Sequence, residues 1–522
     1  MSKSNLPSHC DVIVIGAGIT GLTAAALLSK SGLNVVVLEE QSRPGGYLMG
    51  FKRKGFSFDS SIQWLNQCKE NGLVSRIFKY IEPDYPKSSA MKNIRRYKSN
   101  SFDYLLTDDP YTLRDQLIID FPDEKNNILK FFEDCRKLGR HFDIVNDRMR
   151  SIDTMTLPEK AIFGLKMLWW VIPIWKYLRM SAEDGLNLYF KNESIKKIFP
   201  SEEKFMAVIM PFCWAFTGDF QYPPKGGAEV FVNWLVSRIK KTSSGLFLKS
   251  AVEKVLVENK KAVGVELADG QKIHSKYIIA ACDVESLYEK MLPAGAVPEK
   301  LIKKIKDADL YYSSVTLFIG LDCETSSLGF NEEMACLTIE NLSREGHSGR
   351  DPHQIPLIVQ VPTARDSSLA PKGKSTMTIH CAAWMDYENY WKTGKNFSRG
   401  EAYKKFKKEF ADIMIDRVEK MLKINIRKHI NVLEISTPIS YWRYTKNRDG
   451  SIMGASPTDK NIKSKLAHNI TPVKNLFLAG HWAEYGGGVP IGVKSASNVS
   501  LLILKKENKT EFKKIRNAMD GI

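Results

Sequence analysis

Three glycines near the start of the chain have the spacing of a dinucleotide-binding turn. Gly16, Gly18 and Gly21 follow an apolar β-branched run, Val12–Ile15, and precede an Ala-rich segment typical of a helix. The first glycine allows a tight turn, the second lets the backbone approach a pyrophosphate, and the third lets the helix pack close to the strand. We therefore expect phosphates at the helix N-terminus, which carries partial positive charge.

The elements around these glycines complete the pattern. A second apolar run, Val35–Leu38, ends in Glu39, which is placed to accept hydrogen bonds from a ribose 2′-OH. The glycine spacing alone is weak evidence. Strand, helix, second strand and terminal carboxylate together predict a dinucleotide site, with a purely structural βαβ unit as the alternative.

The residues after Glu39 indicate which dinucleotide is bound. Arg43, Gly45 and Gly46 complete E-x-x-x-R-x-G-G, which resembles the extended fingerprint of the FAD-binding amine oxidase and phytoene desaturase superfamily. An arginine beside the pyrophosphate would act as a fixed cation, although Arg43 alone is equally consistent with a solvated loop charge. The resemblance implies FAD as the cofactor.

A second segment also resembles this superfamily. Gly55–Asp59 reads GFSFD, and Ser61 stands where the family usually has a glycine. We expect Ser60, Ser61, Ile62 and Gln63 to face the isoalloxazine ring. The same alternation is also that of a half-buried strand.

The centre of the chain continues the resemblance. A turn at 222–227 (YPPKGG) precedes a predicted helix, and three predicted strands follow at Ala251–Glu258, Ala262–Leu267 and Lys272–Ala280. This order is similar to that of the phytoene desaturase family, in which the residue at Val252 holds the adenine through its backbone.

One later segment narrows the resemblance. Pro362–Gly373 reads PTARDSSLAPKG, which is similar to a segment of bacterial-type phytoene desaturases and carotenoid isomerases, with Ser367 in place of the usual proline. We interpret it as a structural loop. Predicted strands at Ser314–Leu321 and Ser375–Ala382 flank it and should roof the flavin.

The last cofactor segment lies within Thr437–Ile503. A buried strand at Asn475–Gly480 leads to Gly486–Gly488 and to a helix that begins near Pro490. The helix N-terminus should point at the flavin N1/O2 edge, and the glycines should permit close approach to the ring.

Two features of this segment leave alternatives open. The superfamily commonly has an acidic residue where this chain has His481, which would either bind a ribityl hydroxyl or a phosphate, or simply pack at the strand end. Glu484, Tyr485 and Lys494 are the ionisable groups nearest the expected position of flavin N5. They are the candidate catalytic residues.

The candidate cofactor-binding residues come from the glycine motif and from the resemblance. They are Gly16, Gly18, Ile19, Thr20, Gly21, Glu39, Glu40, Arg43, Gly45, Gly46, Ser61, Ile62, Val252, Gly480, His481, Gly488 and Val489. We predict no metal site, because the eight cysteines form no C-x-x-C pair and the nine histidines no H-x-x-x-H pair. Unpaired cysteines favour a reducing compartment.

Charge and composition constrain the partners. The chain of 522 residues carries a formal charge of +17, which suggests an anionic partner. No nucleic-acid-binding motif is present, so we favour an acidic membrane surface. The opening residues, MSKSNLPSHC, contain no apolar region typical of a secretion signal. We expect a cytoplasmic protein, or a peripheral one on the inner face of a membrane.

A tryptophan-rich segment is the candidate membrane contact. Met167–Trp175 reads MLWWVIPIW between Lys166 and the cations Lys176 and Arg179. Nine apolar residues are too few to cross a bilayer, and we find no apolar run that reaches the length of a membrane span. The segment would either enter one leaflet as a monotopic anchor or form a buried helix over the substrate pocket.

The expected fold class is α/β, with a composite FAD-binding, Rossmann-like domain of the glutathione-reductase type. An α+β substrate domain would be built from two insertions. The predicted boundaries are FAD-binding parts at 1–70, 211–293 and 432–505, a helical insertion at 71–210 with the membrane segment at 161–180, a sheet-containing insertion at 294–431, and a basic tail at 506–522.

The resemblance also implies an activity. It suggests an FAD-dependent oxidoreductase of carotenoid biosynthesis type, which transfers hydride to or from flavin N5 on carbon–carbon bonds of a long apolar polyene or isoprenoid. The reaction would be desaturation or isomerisation, or saturation of a polyprenoid or retinoid. A flavin amine oxidase and a non-catalytic prenyl-binding protein similar to GDP-dissociation inhibitors are the alternatives. The Pro362–Gly373 segment argues against the first, and the complete glycine and Arg43 set against the second.

Overall fold

The Val12–Ile15 run forms the centre of a parallel sheet, as its β-branched composition predicts. The structure is a computed structural model that describes residues 6–146, 150–199, 204–330, 332–340, 342, 349–385 and 389–522. Two seven-stranded sheets, two short two-stranded sheets and the helices between them make up this part of the chain.

The strands are numbered in chain order. They are β1 (His9–Ile15), β2 (Val35–Leu38), β3 (Gly50–Arg53), β4 (Phe56–Asp59), β5 (Ser89–Ala90), β6 (Asn93–Lys98), β7 (Asp103–Thr107), β8 (Gln221–Tyr222), β9 (Gly245–Phe247), β10 (Val252–Glu258), β11 (Lys261–Leu267), β12 (Lys272–Ala280), β13 (Ser313–Leu321), β14 (Met334–Leu337), β15 (Leu357–Gln360), β16 (Ser375–Ala383), β17 (Ile430–Ser436) and β18 (Leu476–Leu478).

The α-helices are numbered in the same way. They are α1 (Ile19–Lys30), α2 (Leu73–Ile81), α3 (Pro110–Asp120), α4 (Lys125–Asn146), α5 (Leu157–Leu178), α6 (Ala182–Tyr189), α7 (Glu193–Lys196), α8 (Phe205–Phe216), α9 (Glu229–Ile239), α10 (Glu299–Lys306), α11 (Glu401–Leu422), α12 (Pro438–Thr445), α13 (Asp459–Ser464), α14 (Gly488–Glu507) and α15 (Lys509–Asp520).

The first sheet has a parallel core in the order β18-β12-β1-β2-β9. Its central register pairs Ile13 with Val36 on one side and with Ile278 on the other. Helices α1, α2, α9, α14 and α15 cover one face, and the antiparallel hairpin β10–β11 extends the sheet from β12. The expected Rossmann-like α/β fold is confirmed, and β2 and β12 have the predicted bounds.

The second sheet contains seven strands in the order β17-β13-β16-β15-β14-β6-β7. Its neighbours are antiparallel except β14 and β6, which run parallel. One face is apolar and packs against α11, with Leu317 and Ile379 fully buried there. On the opposite face, Phe318 of β13 forms a small apolar cluster with Phe56 and Phe58 of β4.

The domain boundaries differ in detail from the predicted ones. The first insertion is not entirely helical, because β6 and β7 join the second sheet. Strand β17 joins that sheet as well, although residues from 432 onward were predicted to belong to the FAD-binding domain. Helix α2 packs into the core of the first sheet, although residues from 71 onward were predicted to belong to the substrate domain. The basic tail forms α15, and its Ile515 and Met519 are buried in the same core.

Helix α5 differs most from its prediction. It extends over 22 residues, so the apolar element is longer than the nine-residue segment seen in the sequence. By length and composition alone, it is the one described helix that is long and apolar enough to cross a membrane. Trp169 is 60% and Trp175 54% exposed, which contradicts the alternative of a buried helix over the pocket.

Candidate functional site

The first glycine turn leaves an open cradle at the N-terminus of α1. Gly16 has φ +100°, and a Cβ there would lie 2.6 Å from the Ala281 carbonyl oxygen. Gly18 is the N-cap of α1, and a Cβ built on it would meet nothing within 4 Å. No side chain caps this helix. The free first-turn N–H groups and the space above Gly18 therefore fit a pyrophosphate.

The third glycine of the motif has the predicted packing role. A Cβ on Gly21 would lie 2.0 Å from the Gly16 carbonyl oxygen and 3.1 Å from Val14 Cγ1. Any larger residue would therefore push α1 away from β1.

The second glycine pair lies directly on this turn. Gly45 has φ +128°, and its N–H donates to the Ala17 carbonyl at 2.8 Å. A Cβ on Gly46 would lie 3.3 Å from Gly18 Cα. Arg43 forms an ion pair with Glu229 at the start of α9 and is 46% exposed. Its contact with a pyrophosphate remains a prediction.

Glu39 occupies the position expected for a ribose ligand. Its carboxylate accepts hydrogen bonds from the N–H groups of Ala17 at 2.8 Å and Gln41 at 2.9 Å. Burial raises the pKa of Glu39, and these two hydrogen bonds act in the opposite direction. Each oxygen keeps a further acceptor site for a ribose hydroxyl. The neighbouring Glu40 is exposed.

The central stretch of the chain meets Glu39 through the backbone. The Glu39 N–H donates to the Phe247 carbonyl at 3.0 Å, and the Ser250 N–H donates to the Glu39 carbonyl at 2.8 Å. Val252 begins β10 two residues later and is buried. This places Val252 beside the expected ribose, where its proposed adenine contact would be made.

The last stretch approaches the same turn from the other side. A Cβ on Gly492 would lie 2.9 Å from both Ile19 Cγ2 and Thr20 Oγ1, and one on Gly480 would lie 3.6 Å from Thr20 Oγ1. Helix α14 begins at Gly488 and, like α1, has no side-chain cap. Three stretches that are distant in sequence thus converge around two neighbouring helix N-termini.

His481 is a neutral histidine in this region. Burial lowers its pKa to about 4. Its ring packs against Gly454, where a Cβ would lie 2.5 Å from the ring Cδ2. Packing at the strand end is therefore observed. A neutral imidazole keeps one donor and one acceptor nitrogen, so the ring could still form a hydrogen bond with the cofactor. That contact remains a prediction.

The three candidate catalytic residues all make contacts within the protein. The Glu484 and Lys494 side chains form an ion pair at 3.0 Å, and Glu484 also accepts a hydrogen bond from Asn498 at 2.8 Å. The Tyr485 hydroxyl donates to the Asn461 carbonyl and accepts from the Leu466 N–H at 3.2 Å. The Glu484 contacts join the preceding loop to α14, and a catalytic role for the three remains a prediction.

A row of side chains crosses the second sheet on the face opposite α11. Successive strands place these residues side by side in register, and we call them the cross-sheet row: Thr316, His380, Ile358, Cys336 and Tyr97. The row begins with two polar residues and continues with apolar and aromatic ones. At the far end Tyr97 packs against Phe199 and Phe212.

The polar end of the cross-sheet row meets the segment that was predicted to face the flavin ring. Thr316 Oγ1 lies 2.9 Å from the hydroxyl of Tyr441, which donates to the Ser60 carbonyl at 3.4 Å. Gln63 Nε2 lies 3.1 Å from His380 Nδ1. Ser61 and Ile62 lie between these two contacts in the chain.

His380 and Tyr441 were not identified from the sequence. Burial, with Arg95 contributing, lowers the pKa of His380 to about 3, so the ring is neutral. The available signal was the alternation of Thr376, Thr378 and His380 along β16, which places all three on one face.

Two carboxylates fix the YPPKGG turn. Asp59 accepts a hydrogen bond from the Ala228 N–H at 2.9 Å, and Asp366 accepts one from the Gly226 N–H at 2.7 Å. Burial raises the pKa of Asp59 to about 6. The Pro362–Gly373 segment therefore contributes a structural contact, as expected.

The chain is similar to known proteins over most of its length. Residues 19–504 match the family model described as flavin containing amine oxidoreductase. The chain is 25% identical over 520 residues to an all-trans-retinol 13,14-reductase of Danio rerio, and the match covers 91% of this chain and 83% of that protein. It is 26% identical over 498 residues to the chloroplastic prolycopene isomerase of Daucus carota, covering 92% and 77%.

A solved structure shows the same fold at lower identity. A putrescine oxidase bound to putrescine superposes with a TM-score of 0.60 at 12% identity, over 95% of this chain and 99% of the other.

Proposed function

The chain belongs to the flavin containing amine oxidoreductase family and is an FAD-dependent oxidoreductase, and we propose that it acts on carbon–carbon bonds of a long apolar polyene or isoprenoid. The proposed reaction is desaturation or cis–trans isomerisation. The names of the reductase and isomerase relatives support a polyene substrate. The resemblance of Pro362–Gly373 to the desaturase segment supports the same substrate class.

The observation that carries this proposal is the cross-sheet row. Its polar end, Thr316 and His380, contacts the Ser60–Gln63 segment and Tyr441. Its apolar end leads to the aromatic cluster around Tyr97. A long hydrocarbon lying along the row would place one bond at the polar end and bury the rest of its length against apolar side chains.

The protein's contribution is to bind, to orient and to exclude water. When bound, FAD supplies or accepts the hydride. The N-termini of α1 and α14 would hold its phosphates and the ring edge, and the row would align the substrate chain with one reactive bond. The neutral His380 ring contacts Gln63 Nε2, so it would help to position the polar end of the row beside the Ser60–Gln63 segment.

Saturation is the second candidate reaction. It is favoured by the similarity to a retinol 13,14-reductase over 91% of the chain. Desaturation, saturation and isomerisation place the same demands on the binding surfaces, because they differ only in the direction and permanence of hydride transfer.

The test is lipid extraction from a carotenoid-producing host that expresses the protein. Gain of conjugated double bonds identifies a desaturase, loss identifies a saturase, and a changed cis/trans ratio alone identifies an isomerase. The matched control is a host that expresses Gly18→Val, which should not hold FAD. A polyene profile identical in both hosts would contradict the proposal.

A further inference from the structure

One face of α5 is apolar and exposed along its whole length. Its exposed side chains, between 43% and 82% accessible, are Leu157, Ile162, Leu165, Leu168, Trp169, Ile172, Trp175 and Leu178. We call this set the α5 face. Exposed apolar residues are usually scattered singly, so a continuous strip on one helix indicates an interaction surface.

The opposite side of the helix is fixed to the protein. Trp170 Nε1 donates to the His141 carbonyl at 3.2 Å, and Ile174 and Tyr177 are buried. The Tyr177 hydroxyl lies 3.1 Å from that of Tyr189. These three α5 residues lie on one stripe, so protein covers one side of α5 and lipid cannot surround it.

Both ends of α5 are fixed as well. Thr156 and Glu159 form a capping box. The Arg150 guanidinium forms one ion pair with Glu159 at 2.9 Å and another with Asp520 of α15, also at 2.9 Å. At the other end, the Arg179 guanidinium lies 3.6 Å from the Asp459 carboxylate. Contacts at both ends thus join the helix to the rest of the fold.

The residues that flank the face indicate what it contacts. Lys160, Lys166, Lys176 and Arg179 are exposed, and the Arg179 guanidinium lies 4.7 Å from the centre of the Trp175 ring. Tryptophans and cations together are typical of the lipid headgroup boundary. The charge of +17 adds long-range attraction to anionic lipids.

We propose that the α5 face inserts into one leaflet of an anionic phospholipid membrane, with α5 parallel to the membrane plane. Its apolar side chains enter the acyl boundary, and its lysines contact headgroup phosphates. Vesicle binding needs neither substrate nor turnover, so it can be measured apart from the reaction proposed above.

The experiment is co-sedimentation of the FAD-loaded protein with phosphatidylcholine vesicles with and without phosphatidylglycerol. One variant, Ile172→Glu, places a charge on the face. Its control, Ile119→Glu, changes a residue of α3 that is similarly exposed, 77% against 72%.

A triple variant reverses Lys160, Lys166 and Lys176 to Glu. Its control reverses three exposed lysines of α11, by the same net charge: Lys404, Lys405 and Lys408.

The expected result is binding that requires phosphatidylglycerol and that weakens by about tenfold or more in both α5 variants, with both controls like the wild type. Bound flavin and activity on detergent-dispersed substrate should be unchanged in all variants. The proposal is overturned if the protein does not bind vesicles, or if variants and controls bind equally. Resistance to alkaline carbonate extraction would also overturn it, because it would indicate a spanning helix. Self-association through this face in the absence of lipid would overturn it as well.

Discussion

Gly46 rests directly on Gly18: a Cβ built on Gly46 would lie 3.3 Å from the Gly18 Cα. The loop that completes the E-x-x-x-R-x-G-G motif therefore closes over the nucleotide turn, and Gly45 is hydrogen-bonded to Ala17 below it. This contact joins the two parts of the FAD fingerprint into one surface.

Replacing Gly18 with valine should abolish FAD retention while the protein still folds. The Cβ position is empty, so the new side chain occupies only the space that fits the pyrophosphate. The control is Gly400→Val, because Gly400 is also an extended helix N-cap with nothing within 4 Å of its Cβ position. Flavin absorbance per chain and melting temperature are measured. Wild-type flavin content in Gly18→Val would show that the site is misplaced.

Replacing Gly21 with alanine should instead damage the fold. The added Cβ would lie 2.0 Å from the Gly16 carbonyl oxygen, which is backbone and cannot move aside cheaply. We expect a loss of unfolding free energy of about 1–3 kcal/mol or more, and lower soluble yield. Thermal unfolding with and without added FAD measures this. Unchanged stability would contradict the close packing of α1 on β1.

His380 should make the protein sensitive to acid. Its folded-state pKa of about 3 lies below the ordinary value, so the unfolded chain takes up a proton near pH 6.5 that the folded protein does not. Stability is then lost as the pH falls. Between pH 7 and 5, the wild type should lose about 2 kcal/mol more than His380→Gln. Unfolding at both pH values tests this, and equal losses would show that His380 is protonated in the folded state.

Removing the Asp366 carboxylate should destabilise the folded protein more than removing that of an ordinary loop aspartate. Asp366 accepts from the Gly226 N–H across the chain as well as from Ser368. Asp366→Ala should cost about 1 kcal/mol, because the Gly226 and Ser368 N–H groups both lose their acceptor. In the control, Asp351→Ala, the side-chain hydrogen bond that is lost is a local one, from the His353 N–H. Similar melting temperatures for both variants would contradict a role in fixing the turn.

The cross-sheet row should decide substrate binding without affecting the cofactor. Ile358→Trp adds bulk at the centre of the row, next to His380 and Cys336. We expect product formation to fall about tenfold or more with flavin content unchanged, whereas Ile358→Val should resemble the wild type. Product is measured in the carotenoid-producing host. Full activity of Ile358→Trp would place the substrate elsewhere.

The nucleotide-binding unit could be predicted because its signals are local. The β-branched run, the three glycines and Glu39 lie within one βαβ unit, and the observed bounds of Val35–Leu38 are the predicted ones. The closing helix was also found, since Gly486–Gly488 and Pro490 mark its start.

The cross-sheet row could not be predicted because it depends on pairing between distant strands. Tyr97 meets Cys336 only because β6 runs parallel to β14, and His380 meets Ile358 only through the register of β15 and β16. Alternation along a strand shows which residues share a face. It does not show which strand lies alongside.

The orientation of α5 was left undecided for a similar reason. Its sequence is apolar nearly all round, so periodicity gives no preferred buried side. The buried stripe is set by His141 and Tyr189, which come from other helices. Only the tertiary contacts show that Trp169 and Ile172 remain exposed.

The most direct test of the account is the flavin content of the purified protein. If three stretches converge around one FAD, the protein should be yellow, with absorption near 370 and about 450 nm, and should release about one FAD per chain on denaturation. Gly18→Val should be colourless and Gly400→Val yellow. A folded wild-type protein that stays colourless after incubation with FAD would contradict the convergence and the oxidoreductase mechanism that depends on it.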